Sequence, residues 1–115
     1  MNIVSIVGYF DEDPVIRVSP TGKKYVRFIL AVPRNFINSE GKYEHDFISV
    51  MTWGKMAELV YKKARKGSNI AVYGRLTTRI YEKDGVKKYV TEVVVIEINF
   101  LESRKNNSSV NSIDV

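Results

Sequence analysis

The chain contains no cysteine, which excludes disulfides, thiolate nucleophiles and thiolate zinc sites and fits a reducing compartment. It has one histidine, His45, so imidazole chemistry has a single candidate. Glu44 and Asp46 flank it and could complete a small acidic metal site, but a solvated turn histidine is the plainer reading. No apolar run approaches the roughly 20 residues of a membrane span, and no charged leader precedes an apolar run at the N-terminus. A soluble, cytoplasmic protein is therefore expected. Neither a phosphate-loop pattern nor a Gly-x-Ser-x-Gly elbow occurs, and no cofactor or metal is expected.

What is present is one domain's worth of chain, 115 residues with a formal charge of +5, enough to bury one core. The charge is unevenly placed. Residues 1–54 carry six Lys/Arg against six Asp/Glu, residues 55–88 ten against three, and residues 89–115 two against four. A basic excess concentrated in the third quarter of the chain points to a polyanionic partner, nucleic acid before anionic lipid; an ordinary basic surface is the bland alternative.

The periodicity is mostly that of strands. "NIVSIVGYF" alternates and stops at "DEDP", whose acids and proline suit a turn better than a metal cluster. A turn at Pro20–Gly22 leads to a long strand in which Val26, Phe28, Leu30 and Val32 share a face. The polar stretch "NSEGKYEH" then forms a loop before a third strand, "DFISVMTW". After Gly54 the period changes. Met56, Leu59, Val60 and Ala64 fall at helical spacing, cations collect in the last turn, and Gly67 is placed to cap the end. A hairpin follows, turning at Asp84 and Gly85. Five strands with one helix between the third and fourth is the order of an all-β OB fold, a small Greek-key barrel. Residues 1–102 form this domain. From Ser103 the chain is Asn/Ser-rich without apolar period and reads as a short flexible tail, 103–115.

Two strands raise a functional question. In the third, Phe47, Ser49, Met51 and Trp53 lie on one side, and Ile48, Val50 and Thr52 on the other, so both sides are largely apolar. In the fourth, Ile70, Val72, Gly74, Leu76, Thr78 and Ile80 make a core face. Ala71, Tyr73, Arg75, Thr77, Arg79 and Tyr81 interleave cations with rings on the other. Guanidinium groups that neutralise phosphates beside rings that stack on bases are what unpaired nucleic acid needs. If Ile48 and Val50 face the core, Phe47 and Trp53 are left outside near Tyr81 and the loop aromatic Phe36. The competing reading packs Phe47 and Trp53 against the helix or a second subunit. Met51 and Met56 read as packing residues.

The segments "NIVSIVGYFDEDPVIRVSPTGK", "FILAVPRNF", "DFISVMTWGKMAELV", "ARKGSNIAVYGRLTTRIYEKDG" and "YVTEVVV" resemble the bacterial single-stranded DNA-binding protein family, in order and approximate spacing, over nearly all of residues 2–101. The resemblance implies an OB fold assembled as a homotetramer, without enzymatic activity. Its members bind and protect single-stranded DNA with little sequence preference during replication, recombination and repair. It implies base stacking at Phe36, Phe47, Trp53 and Tyr81. Phosphate contacts are expected at Lys55, Arg75 and Arg79, with Arg17, Arg34, Lys66 and Lys87 as further candidates. The family's acidic tip, which ends in a Pro-Phe pair and recruits other enzymes, has no counterpart in "NNSSVNSIDV", so such recruitment is doubtful for this chain.

Three alternatives remain at this level. An OB module of replication restart or of RNA binding would take another target. A metal-dependent nuclease would use Asp11, Glu12 and Asp13. A protein-interaction module would use the aromatics as a subunit interface.

Overall fold

The computed structural model describes residues 1–101, so the tail read at 103–115 lies outside the described residues. The elements run β1 (Val4–Phe10), β2 (Ile16–Val18), β3 (Lys24–Ile37), β4 (Tyr43–Trp53), α1 (Gly54–Lys63), β5 (Asn69–Lys83) and β6 (Val86–Phe100). Strands pair in the order β1-β5-β6-β4-β3-β2, and β1 also pairs with β3. That last contact closes β1, β5, β6, β4 and β3 into a five-stranded barrel, the expected OB fold. The short β2 is an addition to the expected order, a flap on the outer edge of β3. All pairings are antiparallel except β4 with β6, where Val50 meets Val93 and Met51 meets Val94.

Alternation explains the core. Val26, Phe28 and Leu30 from β3 face Val50 from β4, Ile70 and Val72 from β5, and Val93 and Val95 from β6. Phe10 stacks on Phe28 with ring centroids 4.2 Å apart. Thr52 also points inward and donates its hydroxyl to the Val26 carbonyl at 3.0 Å, so its burial leaves no unmet polar group. Helix α1 packs against β2, β3 and β4, and Ala57 and Val60 from the helix, with Ala64 just beyond it, complete the core. No helix among the described residues is long and apolar enough to cross a membrane.

Several local expectations are corrected. The helix ends at Lys63, with Ala64 already extended as its C-cap and donating to the Val60 carbonyl. Gly67 is therefore not the cap. It sits in the following turn, where its N–H bonds the Phe10 carbonyl and Phe10 N–H bonds the Ser68 carbonyl, tying that turn to β1. Leu59, assigned to the apolar helix face, is exposed. His45 and Phe36 lie on strands, because β4 begins at Tyr43 and β3 continues to Ile37.

The β5 face is core only through Gly74. Leu76 and Ile80 are exposed, because β1 covers β5 only as far as Gly74 and β4 meets β6 only at Val93 and Val94. The rest of the hairpin projects beyond the barrel, with Asp84 (φ 53) and Gly85 (φ 75) supplying the left-handed pair of its two-residue turn. Gly74 itself is required by close approach, since a Cβ there would lie 2.3 Å from the Val94 carbonyl oxygen.

Candidate nucleic-acid interface

The barrel's order β2-β3-β4-β6-β5 makes one continuous outer surface from elements distant in sequence. Tyr25 lies opposite Trp53, Arg27 opposite Met51, and Ala31 opposite Phe47 across the β3/β4 ladder. Arg17 on β2 lies opposite Tyr25. On the hairpin, Thr77 lies opposite Glu92 and Tyr81 opposite Lys88. Because side chains alternate, Arg17, Tyr25, Arg27, Phe47, Ser49, Met51, Trp53, Arg75, Thr77, Arg79, Tyr81, Lys88 and Glu92 all share the side away from the core.

Rings and cations alternate across this surface. Lys23 Nζ lies 5.9 Å from the Trp53 ring centre. Trp53 and Tyr25 pack tilted with centroids 5.2 Å apart. The Arg27 guanidinium lies 5.5 Å from Tyr25, and that of Arg79 lies 5.8 Å from Tyr81. Between the two arginines sits Glu92, only 4% exposed, which accepts from Arg27 Nε and Arg79 Nε, each at 3.1 Å, and from the Ser49 hydroxyl at 3.2 Å. Burial pushes the Glu92 carboxyl up, but the hydrogen bonds and charges of Arg27 and Arg79 outweigh it and hold the group below its ordinary value.

The outer face of β4 thus has two fates. Met51, beside this cluster, is buried, whereas Phe47 (63%) and Trp53 (40%) keep substantial exposed ring surface. Trp53 is still extended and ends the strand. Gly54 has φ +63, a left-handed conformation that turns the chain from β4 directly into α1 and that L side chains resist.

The structure gathers some sequence-derived candidates and separates others. Trp53, Phe47, Tyr81, Arg75, Arg79 and Arg17 share the surface. Phe36 stands 60% exposed near the tip of the β3/β4 hairpin. Arg34 donates to Asp46 at 2.8 Å and to Glu44 at 3.0 Å, and these acids alternate away from Phe47, so Arg34 occupies the reverse face. The pairing raises the Arg34 pKa and lowers that of Asp46, chiefly through their shared hydrogen bond. Lys87 lies opposite Glu82, again on the reverse face. Lys66 donates its backbone N–H to Asp13, which gives that acid a structural task.

Lys55 lines a different feature, a groove of about 920 Å³ between α1 and β2 that also includes Pro14, Val18, Leu59 and Lys62. Two of the groove's cations already have partners within the protein. Lys24 pairs with Glu58 at 3.0 Å, and Arg65 donates to the Tyr61 and Ala64 carbonyls. Among the described residues no group of three or more His, Cys, Asp or Glu is placed to hold a metal ion.

Sequence reasoning missed Tyr25, Arg27, Lys88 and Glu92. The first two were legible: if Val26, Phe28 and Leu30 point inward, Tyr25 and Arg27 point out. Lys88 required the hairpin register, and Glu92 had no local signal.

The model of the single-strand binding protein family matches residues 1–101. A single-stranded DNA-binding protein of Clostridium tetani is 46% identical over 111 residues, covering 95% of this chain and 76% of that protein. Single-stranded DNA-binding protein 3 of Listeria innocua is 45% identical over 109 residues, covering 94% and 68%. A single-stranded DNA-binding protein of Bacillus cereus is 47% identical over 105 residues, covering 90% and 62%.

Proposed function

The chain belongs to the single-strand binding protein family, and we propose that it binds and shelters single-stranded DNA, without catalysing a reaction, along the outer surface of β3, β4, β6 and β5. The observation that carries this reading is the run Lys23–Trp53–Tyr25–Arg27–Arg79–Tyr81, in which every ring has a cation within 6 Å. Rings stack on any base and cations follow the backbone, so affinity is high while sequence preference is low. Phe47 and Phe36 extend the stacking surface toward the β3/β4 tip, and Arg17, Arg75 and Lys88 join Arg27 and Arg79 as phosphate contacts. Replication, recombination and repair are the processes in which such a strand is exposed.

A duplex hides its base faces. Labelled thymine oligomer should therefore bind far more tightly than a duplex of equal length, with affinity falling as salt rises. Equal affinity for the two forms would reject the reading, and a matched RNA oligomer in the same assay tests the RNA-binding alternative.

We further propose that the working unit is a homotetramer. Ile3, Val7 and Tyr9 on or beside β1, and Leu76, Ile80 and Tyr89 on the projecting hairpin, are exposed apolar side chains lying off the proposed DNA surface, as surfaces for self-association do. Light scattering should give the mass of four chains, and Ile80→Glu should lower it; a monomeric wild-type protein would refute the assembly.

A further inference from the structure

We propose that Glu92 is a positioning residue of this surface: it holds Arg27 and Arg79 by their Nε edges so that their remaining guanidinium nitrogens are presented to the phosphates of a bound strand. The inference rests on the single-stranded DNA reading. It goes beyond that reading by giving an acid a constructive part in binding an anion.

The geometry is specific. Each arginine spends one N–H on Glu92, Arg79 on Oε1 and Arg27 on Oε2. Among the described residues no other hydrogen bond engages either guanidinium, so both pairs of terminal nitrogens remain free. Ser49 donates to Oε2 as well and fixes the carboxylate from the β4 side. The carboxylate is almost wholly buried whereas the arginines are partly exposed, at 34% and 41%. It is thus enclosed beneath them and is not a competitor that a phosphate could displace.

Two long cations, Arg27 on β3 and Arg79 on β5, meeting at one carboxylate on β6 would without it repel and sample many rotamers. Ordering them in advance removes that entropy cost from the binding step. The two guanidiniums beside Tyr25 and Tyr81 also bring a phosphate contact next to each ring, which matches the alternation of phosphate and base along a strand. The acid reduces the local charge from two to one, so it is useful only where orientation outweighs bare charge.

That trade separates two outcomes of opposite sign. Thymine-oligomer binding to the full chain is measured by anisotropy over a salt series for wild type, Glu92→Gln and Arg27→Lys. If Glu92 positions the arginines, Glu92→Gln weakens binding about 3- to 10-fold although it adds positive charge. Its salt dependence becomes shallower by about 0.7 for each phosphate that is no longer neutralised. Arg27→Lys, which keeps the charge but removes the fork, weakens binding similarly, and the double variant is little worse than either single one. Binding by Glu92→Gln that is equal or tighter, with a steeper salt dependence, overturns the proposal and makes the acid a simple diluent of charge. Should Glu92→Gln fail to fold, Arg27→Lys decides alone: full wild-type affinity overturns the proposal. Failure of the wild-type chain to bind the oligomer would instead reject the underlying function.

Discussion

Trp53→Ala probes the surface most directly, because Trp53 is the sole tryptophan and keeps 40% of its surface exposed. Its packing partner is Tyr25, tilted at 45° and 5.2 Å away, an arrangement worth about 0.5–1.5 kcal/mol. Removal should therefore lower stability by only about 1–2 kcal/mol, since the ring is not a core residue. A stacked base is worth about 1–3 kcal/mol, so affinity for a thymine oligomer should fall about 5- to 150-fold. Trp53→Phe, which retains a smaller ring, should recover much of that affinity. Anisotropy of labelled DNA reads the binding, and a urea titration reads the stability. In the wild-type protein the oligomer should quench Trp53 fluorescence and a duplex should not. Trp53→Ala binding with wild-type affinity would refute a stacking role. Loss of the fold would show that the ring is chiefly a packing residue.

The hairpin register distinguishes two adjacent lysines: Lys88→Ala should make the salt dependence of binding shallower by about 0.7, whereas Lys87→Ala should leave it unchanged. Gly54→Ala should cost about 1–2 kcal/mol in urea unfolding through its left-handed φ alone, since an added Cβ would meet nothing within 4 Å. Glu92 should make the fold acid-sensitive. Its native pKa lies below the unfolded value, so its stabilisation is complete above the unfolded carboxyl range near about pH 4.3 and is lost as pH falls through the lower native value. Urea midpoints should accordingly drop more steeply below about pH 5 in wild type than in Glu92→Gln; parallel curves would refute this.

Much of the barrel was legible locally. Alternation identified the inward sets Val26/Phe28/Leu30 and Ile70/Val72, the change of period placed the helix, and Asp84-Gly85 marked its hairpin. What misled was the assumption that alternation implies a core. Leu76 and Ile80 keep the inward parity of Ile70 but extend past the last strand that could cover them. Gly67 had the chemistry of a helix cap, yet its backbone was claimed by Phe10 on β1.

For the site, the inventory was legible in the string of residues: which strands carry rings, where the cations concentrate, and that Phe47 and Trp53 stand opposite Ile48 and Val50 on their strand. How each cation is paired follows from the assembled barrel alone. Arg34, Arg79 and Arg27 are alike as residues in a string, but Arg34 is paired with two acids on the reverse face, whereas Arg27 and Arg79 are held on one carboxylate beside the rings. Closure of the barrel is the cause. Barrel order inserts β6 between β4 and β5 and thereby brings Glu92 within hydrogen-bonding distance of Arg27, 65 residues away in the chain, a relation that local periodicity does not encode.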